Sequence, residues 1–161
     1  MSELTRRVIE NVEDYPRPPA LEPVDDTIRI VFAGQIIAET DMAYRVLETF
    51  HAPTYYLPLE AFTEGVLRPA QGASVCEWKG RASYFDIVSG GQRASRAAWS
   101  YLHPTANFAP IRGFLAVYAE PMDACFVGGE RVEPQPGNFY GGWVTSGITG
   151  PVKGAPGTTH W

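Results

Sequence analysis

The sequence predicts a mostly β, antiparallel domain, and three observations support that fold class. Runs of β-branched and aromatic residues recur at short intervals, glycine and proline turns separate them, and little helical periodicity lies between them. The 161 residues are 45% hydrophobic and 19% charged, a balance typical of one globular domain. We therefore expect a single core with one or two short helices.

The first part of the chain predicts strands in a definite order. Residues 1–27 contain four prolines among charged residues, which predicts an extended lead-in with at most one short helix within residues 4–12. Two β-branched runs at 28–32 and 36–40 surround a glycine turn, as in a hairpin. Residues 41–48 fit both a helical face and strand alternation, and a strand is favoured.

The middle of the chain continues the β pattern around one predicted helix. Residues 53–58 form an aromatic run between prolines, typical of a short strand, whereas residues 59–67 predict a helix that Gly65 limits to about two turns. A long strand interrupted at Gly80 is predicted for residues 74–88. The remaining strands are predicted at 97–101, 113–118 and 123–127.

The last segment differs in composition from the rest. Residues 132–161 are dense in glycine and proline yet contain Phe139, Tyr140, Trp143 and Trp161. Because aromatic burial is strongly favourable, we expect this tail to pack on its own domain or on a neighbouring subunit rather than to form a flexible extension. The predicted organisation is an extended lead-in at 1–27, a single β domain at 28–131 and the tail at 132–161.

The charge pattern argues against nucleic-acid and membrane partners. The net charge is −5, the pI is near 5.2, and the basic residues are scattered, whereas nucleic-acid binding depends on clustered lysine and arginine. The polar, acidic N-terminal residues do not resemble a signal peptide, and no stretch approaches the about 18 consecutive apolar residues of a membrane span. A cytoplasmic protein is predicted.

Motifs for metals and common cofactors are missing from the sequence. Cys76 and Cys125 belong to no CxxC pair and are interpreted as unpaired, partly buried thiols. His51, His103 and His160 lie far from one another and are interpreted as solvated loop residues. Because the fingerprints of phosphate-binding and dinucleotide-binding loops are also absent, no metal and no cofactor are predicted.

Two groups of residues could carry chemistry. Cys76 is a candidate nucleophile with Lys79 or Tyr84 assisting, because a nearby ammonium lowers a thiol pKa. The alternative is a core thiol beside a surface lysine, since Cys76 and Lys79 point to opposite faces of a regular strand.

The second group is a cation and a carboxylate close to two phenols, namely Arg45, Glu48, Tyr55 and Tyr56. Such a set could bind an anionic or polar small ligand, with Arg45 donating to a carboxylate or phosphate. Alternatively, Arg45 and Glu48 could pair with each other as a structural bridge.

An ordered series of motifs resembles the bacterial family known as domain of unknown function 427. The motifs are Tyr-Arg-Val-Leu-Glu-Thr at 44–49, Pro-Thr-Tyr-Tyr-Leu-Pro at 53–58, Cys-Glu-Trp-Lys-Gly at 76–80 with Tyr84, Ala-Trp-Ser-Tyr at 98–101 with Pro104, and Gly-Phe-Leu-Ala-Val-Tyr at 113–118 with Asp123. The resemblance covers roughly residues 28–127.

The resemblance implies a compact, antiparallel β-tent or Mss4-like fold, in which packed sheets often leave a groove. Some relatives in that architecture hold zinc through paired CxxC motifs, which this chain lacks. The family is sometimes labelled a nucleotidyltransferase, yet the glycine-serine loop and the DxD carboxylates of such enzymes are absent. Asp25 and Asp26 are adjacent and would face opposite ways on a strand.

These observations predict one polar groove and rank three functions. The positions expected to converge on the groove are Arg45, Glu48, Tyr55, Tyr56, Lys79, Tyr84, Trp99 and Tyr101. The first function is binding of a small molecule whose anionic group meets Arg45 and Lys79. The alternatives are an enzyme with Cys76 as nucleophile and a module that forms homo-oligomers through its tail.

Overall fold

The computed structural model describes residues 9–76, 79–136 and 140–154, the side chains of residues 72–76 excepted. Fifteen strands occur in this part of the chain. They are β1 (Glu10–Asn11), β2 (Ala20–Pro23), β3 (Ile28–Phe32), β4 (Gln35–Thr40), β5 (Tyr44–Leu47), β6 (Thr54–Tyr56), β7 (Leu67–Cys76), β8 (Gly80–Ser89), β9 (Gln92–Tyr101), β10 (Leu115–Val117), β11 (Ala124–Val127), β12 (Glu130–Arg131), β13 (Glu133–Pro134), β14 (Trp143–Val144) and β15 (Ile148–Thr149). Short 3₁₀ helices span Val12–Asp14, Leu59–Ala61 and Ala106–Ile111.

Three antiparallel sheets form the body of the domain. Their strand orders are β2-β5-β6, β10-β9-β8-β7 and β12-β11-β3-β4. A two-way backbone bridge, with both N···O distances at 2.8 Å, joins Leu57 after β6 to Leu115 in β10 and thereby links the first two sheets. Two short pairs complete the strand pairing: β13 and β14 pair antiparallel within the tail, and β1 pairs parallel with β15 near the two ends of the described chain.

Strand alternation divides the buried side chains between two clusters. On β6, Tyr55 enters a large cluster with Ile28 and Ile30 of β3, while Tyr56 enters a second cluster with Trp99. Neighbouring residues of a strand face opposite sides of the sheet, so the linked sheets have one cluster on each face. The large cluster is mostly aliphatic, whereas the second, here called the aromatic cluster, is rich in rings and includes Phe108 of the last 3₁₀ helix.

Several predicted elements are confirmed. The hairpin expected at residues 28–40 is formed by β3 and β4, and the strand favoured within 41–48 is β5. The mostly β, antiparallel class is confirmed by the three main sheets. The part of the chain that the structure describes contains no helix long and apolar enough to cross a membrane.

Two predicted elements are wrong. Only Leu59–Ala61 is helical within residues 59–67, because the Thr63 amide donates to the Ile37 carbonyl of β4 and Gly65 takes a positive φ of 87°. The single strand expected over residues 74–88 is a hairpin of β7 and β8, with Cys76 and Gly80 opposite each other. Gly80 has a φ of 114°, a conformation that other residues rarely adopt, and therefore allows the chain to reverse there.

Described residues of the tail contact the body of the domain closely. The Trp143 side chain is 1% exposed and belongs to the large cluster, and its amide donates to the Pro53 carbonyl. A Cβ atom on Gly142 would overlap the Ala52 carbonyl oxygen, so only glycine permits this approach. The division into lead-in, domain and tail stays a prediction, although Val12 and Trp143 are both fully enclosed.

Candidate functional site

An irregularity between β8 and β9 determines the direction of one arginine. The pairing register shifts between Phe85 and Ile87, and Arg96 on the opposite strand has a φ of 52°. The Asp86 carboxylate accepts a hydrogen bond from the Arg96 amide at 2.8 Å, and this bond, with the neighbouring Arg93, holds the Asp86 pKa below its usual value. β-bulges of this kind bend a strand and redirect a side chain, often beside functional sites.

The redirected guanidinium lies on a tyrosine ring. The Arg96 Cζ atom is 4.2 Å from the centroid of Tyr84, and Nη1 donates to the Gln71 carbonyl at 2.9 Å. Arginine favours this geometry because its planar, weakly hydrated cation stacks on the electron-rich face of an aromatic ring. The Arg96 side chain is therefore held by two contacts on an otherwise exposed surface.

A compartment of about 400 Å³ opens beside Arg96. Its lining includes Tyr84, Arg96, Tyr118 and Glu120. A second compartment of about 190 Å³ shares Tyr118 and Glu120 with the first and adds tail residues, among them Gln135 and Tyr140. The two compartments, here together called the groove, thus combine β-sheet residues with residues of the tail.

Trp99 forms the aromatic base of this region. It is the cross-strand partner of Tyr84, its ring centroid lies 4.6 Å from that of Tyr118, and it is 8% exposed. A Cβ atom on Gly141 would overlap the Trp99 ring, so the tail backbone lies directly on the indole. Burial, with a smaller contribution from Tyr84, raises the Tyr118 pKa, so this phenol stays protonated at neutral pH.

Five of the eight sequence-predicted positions belong to one side of the linked sheets. Tyr56, Trp99 and Tyr101 are buried in the aromatic cluster, and Tyr84 packs against it. The Tyr56 and Tyr101 ring centroids are 6.3 Å apart, and the Lys79 Nζ lies 6.0 Å from the Tyr101 centroid. Of these five, Tyr84 lines the groove and Trp99 supports it.

Arg45 and Tyr55 lie on the opposite face. They are cross-strand partners, and the Arg45 guanidinium donates to Glu22 at 2.6 Å and to Glu10 at 2.9 Å. Burial alone would lower the Arg45 pKa, but these two carboxylates outweigh it and raise the pKa. Their predicted role in ligand binding stays a prediction, and the structural bridge considered for Arg45 involves carboxylates other than Glu48.

Glu48 lies with a histidine instead of with Arg45. Its Oε2 atom is 3.8 Å from the His51 Nε2 and 4.0 Å from the Arg17 Nε. The interpretation of His51 as a solvated loop residue is wrong, because its side chain is only 18% exposed and burial lowers its pKa. His103 is exposed, as expected.

The thiols differ in what the structure describes. The Cys76 side chain lies outside the described residues, so its role as a nucleophile assisted by Lys79 or Tyr84 stays a prediction. Cys125 is buried, and this burial raises its thiol pKa to about 12. Among the described residues, no three histidine, cysteine or acidic side chains are grouped as metal ligands would be.

A family model described as a domain of unknown function (DUF427) matches residues 20–128. The chain belongs to the DUF427 family. No curated protein matches the chain. The DUF427 region contains β2 to β11 and hence Tyr84, Arg96 and Tyr118, whereas Gln135 and Tyr140 of the groove lie beyond it.

Sequence reasoning missed three groove residues of this DUF427 chain, Arg96, Tyr118 and Gln135. Arg96 precedes the predicted strand at 97–101, and a bulge with a positive φ at arginine leaves no local sequence signal. Tyr118 is the last residue of the run predicted at 113–118. It lies two residues after Ala116, the cross-strand partner of Trp99, so strand alternation places Tyr118 on the same face as Trp99, and this was the available clue. Gln135 is buried by contacts 83 residues away in sequence, which no local pattern reports.

Proposed function

We propose that the chain is a small-molecule-binding β domain that takes a planar anionic ligand in the groove beside Arg96. The observation that carries this proposal is the Arg96 guanidinium, which is held on the Tyr84 ring and lines the 400 Å³ compartment of the groove. Grooves of some 300–1,000 Å³ lined by aromatic residues with few polar groups are typical of ligand sites. The β-tent or Mss4-like architecture implied by the resemblance is part of the same proposal.

The chemistry of the lining supports an anion with a flat ring. Arg96 donates through Nη1 to the Gln71 carbonyl, and its other guanidinium nitrogens could donate to a carboxylate or phosphate. Tyr84 and Tyr118 contribute aromatic surface to the lining, against which a planar group could pack. Glu120, at the junction of the compartments, would accept a hydrogen bond from a ligand N–H or O–H group.

Preorganisation is a second argument for binding. The Asp86 carboxylate and the Gln71 carbonyl hold the Arg96 backbone and side chain in place before any ligand arrives. A side chain that is already ordered loses little conformational entropy on binding. In this proposal Arg96 takes the role that the sequence suggested for Arg45, while binding contributions of Lys79 and Tyr101 remain predictions.

Isothermal titration calorimetry with matched probes tests the proposal. The probes are benzoate against benzamide and adenosine monophosphate against adenosine, so each anion has a neutral counterpart. We expect at least one anion to bind, and Arg96→Gln to weaken that binding about tenfold or more because it removes the charge-assisted bonds.

Arg93→Gln is the matched control, since Arg93 lies on the same strand and pairs with Asp86 but does not line the 400 Å³ compartment. Its affinity should stay within about twofold of the parent. The proposal fails if every anion binds no better than its neutral counterpart, or if both variants lose the same affinity. Catalysis by Cys76 and homo-oligomerisation stay predictions.

A further inference from the structure

One buried glutamine connects the tail to the loop that follows β5. Gln135 is 2% exposed, and its Oε1 atom accepts the Ala52 amide at 3.0 Å. Its Nε2 atom donates to the Lys153 carbonyl at 3.0 Å and lies 3.3 Å from the His51 Nδ1. Every polar atom of this amide thus has a partner, as buried polar groups require.

These contacts determine which nitrogen of His51 carries the proton. The Ala52 amide can only donate and the Lys153 carbonyl can only accept, so together they fix the orientation of the Gln135 amide. Its remaining N–H therefore points to the His51 Nδ1, which must act as an acceptor. The imidazole is neutral, with its proton on Nε2, the atom 3.8 Å from the Glu48 carboxylate.

We infer that His51 is a proton-sensitive positioning residue, which holds the tail on the domain as a neutral imidazole and weakens that hold when Nδ1 is protonated. A proton on Nδ1 would set two donors against each other across the 3.3 Å contact with Gln135. Rotating the Gln135 amide would not relieve this conflict, because it would break the bonds to Ala52 and Lys153 together.

The charges around His51 act in both directions. Burial is the largest cause of its lowered pKa, the Glu48 carboxylate opposes that shift, and cations add to it. The cations are, in order of effect, Lys153, Arg17 and Lys79, and they come from three separate parts of the chain. The Tyr140 ring lies edge-on to the imidazole, with 5.3 Å between the ring centroids.

The sign of the pH dependence follows from this lowered pKa. The released state binds the proton with the ordinary value of 6.5, and the docked state binds it with a lower value. Docking is therefore strongest above pH 6.5 and weakens as the pH falls from 6.5 toward the pKa of the docked state.

The tail residues held by His51 form part of the lining of the groove. Gln135 and Tyr140 line its smaller compartment, and both contact His51 directly. The Trp143 amide donates to the Pro53 carbonyl and the Lys153 amide to the Phe50 carbonyl, so two further bonds join the tail to the His51 loop. Protonation of one ring would thus loosen the tail residues that line the compartment.

Hydrogen–deuterium exchange of the ligand-free protein tests this inference without reference to any binding function. We expect the protection of the Trp143 and Lys153 amides, corrected for intrinsic exchange, to fall up to about tenfold between pH 7.5 and pH 5.5. The Val88 amide, which donates to Val66 within the body of the domain, should keep its protection. Constant protection of the tail amides would overturn the inference.

Two variants distinguish protonation of His51 from the other effects of lowering the pH. His51→Asn supplies a side-chain oxygen that accepts the same hydrogen bond without titrating, so tail protection should become independent of pH in this range. His103→Asn, which changes an exposed histidine, should retain the pH dependence of the parent. An equal fall in His51→Asn and the parent would refute the assignment.

A measurement on the unmodified protein covers the case in which His51→Asn fails to fold. Nitrogen-15 NMR of the imidazole distinguishes the two neutral forms and follows protonation directly. At pH 7.5 we expect the proton on Nε2 and Nδ1 unprotonated. A proton on Nδ1 at that pH, or a pKa at or above 6.5, would overturn the inference.

Discussion

Replacing Trp143 by alanine should destabilise the whole domain, although this residue lies in a glycine-rich and proline-rich segment. The indole is 1% exposed, stacks on Tyr55 at 5.3 Å between centroids, and donates from Nε1 to the Val117 carbonyl at 3.0 Å. Buried tryptophan-to-alanine changes cost about 3–5 kcal/mol through lost burial and the remaining cavity. At about 2–4 °C per kcal/mol for this chain length, Trp143→Ala should lower Tm by about 6–20 °C.

Urea denaturation followed by far-ultraviolet circular dichroism measures this loss. Trp143→Phe keeps a stacked ring but loses the hydrogen bond to Val117, so we expect a smaller loss of about 1–2 kcal/mol. Leu59→Ala is the control, because Leu59 is 60% exposed and its truncation should change stability by less than about 0.5 kcal/mol. A loss below about 1 kcal/mol for Trp143→Ala would refute the view that the tail completes the core.

Three further predictions concern Arg45, Gly141 and Cys125. Arg45→Met should lower the free energy of unfolding by about 1–2 kcal/mol, because Glu22 and Glu10 lose their charged partner; urea denaturation measures this loss. Gly141→Ala should cost about 1–3 kcal/mol in the same assay, since the new methyl group overlaps the Trp99 ring. Cys125 should resist iodoacetamide in the native protein and react after unfolding, because burial raises its pKa to about 12; peptide mass spectrometry detects the label.

Each of these predictions has an outcome that contradicts its reasoning. Unchanged stability of Arg45→Met would mean that water solvates the carboxylates as well as the arginine does. A parent-like Gly141→Ala would mean that the tail shifts without cost over the indole. Rapid native labelling of Cys125 would mean that its strand opens readily, since the thiol is enclosed in the large cluster.

Local patterns predicted much of the fold because strand alternation and turn formation depend on residues that are neighbours in the sequence. The β3–β4 hairpin and the β5 strand follow from such signals. Residues 59–67 carried a helical pattern as well, but the Thr63 amide donates to the Ile37 carbonyl at the sheet edge and the chain turns at Gly65. Tertiary pairing outweighed helix propensity there, because propensity contributes only tenths of a kcal/mol per residue.

The candidate site shows the same division more sharply. The sequence by itself determined the antiparallel class, the family resemblance and the aromatic residues Tyr84 and Trp99 that meet across β8 and β9. Only the tertiary structure decided that a bulge turns Arg96 toward Tyr84 and that the tail encloses His51. The physical reason is that alternation is a local property, whereas bulges and enclosure depend on partners distant along the chain.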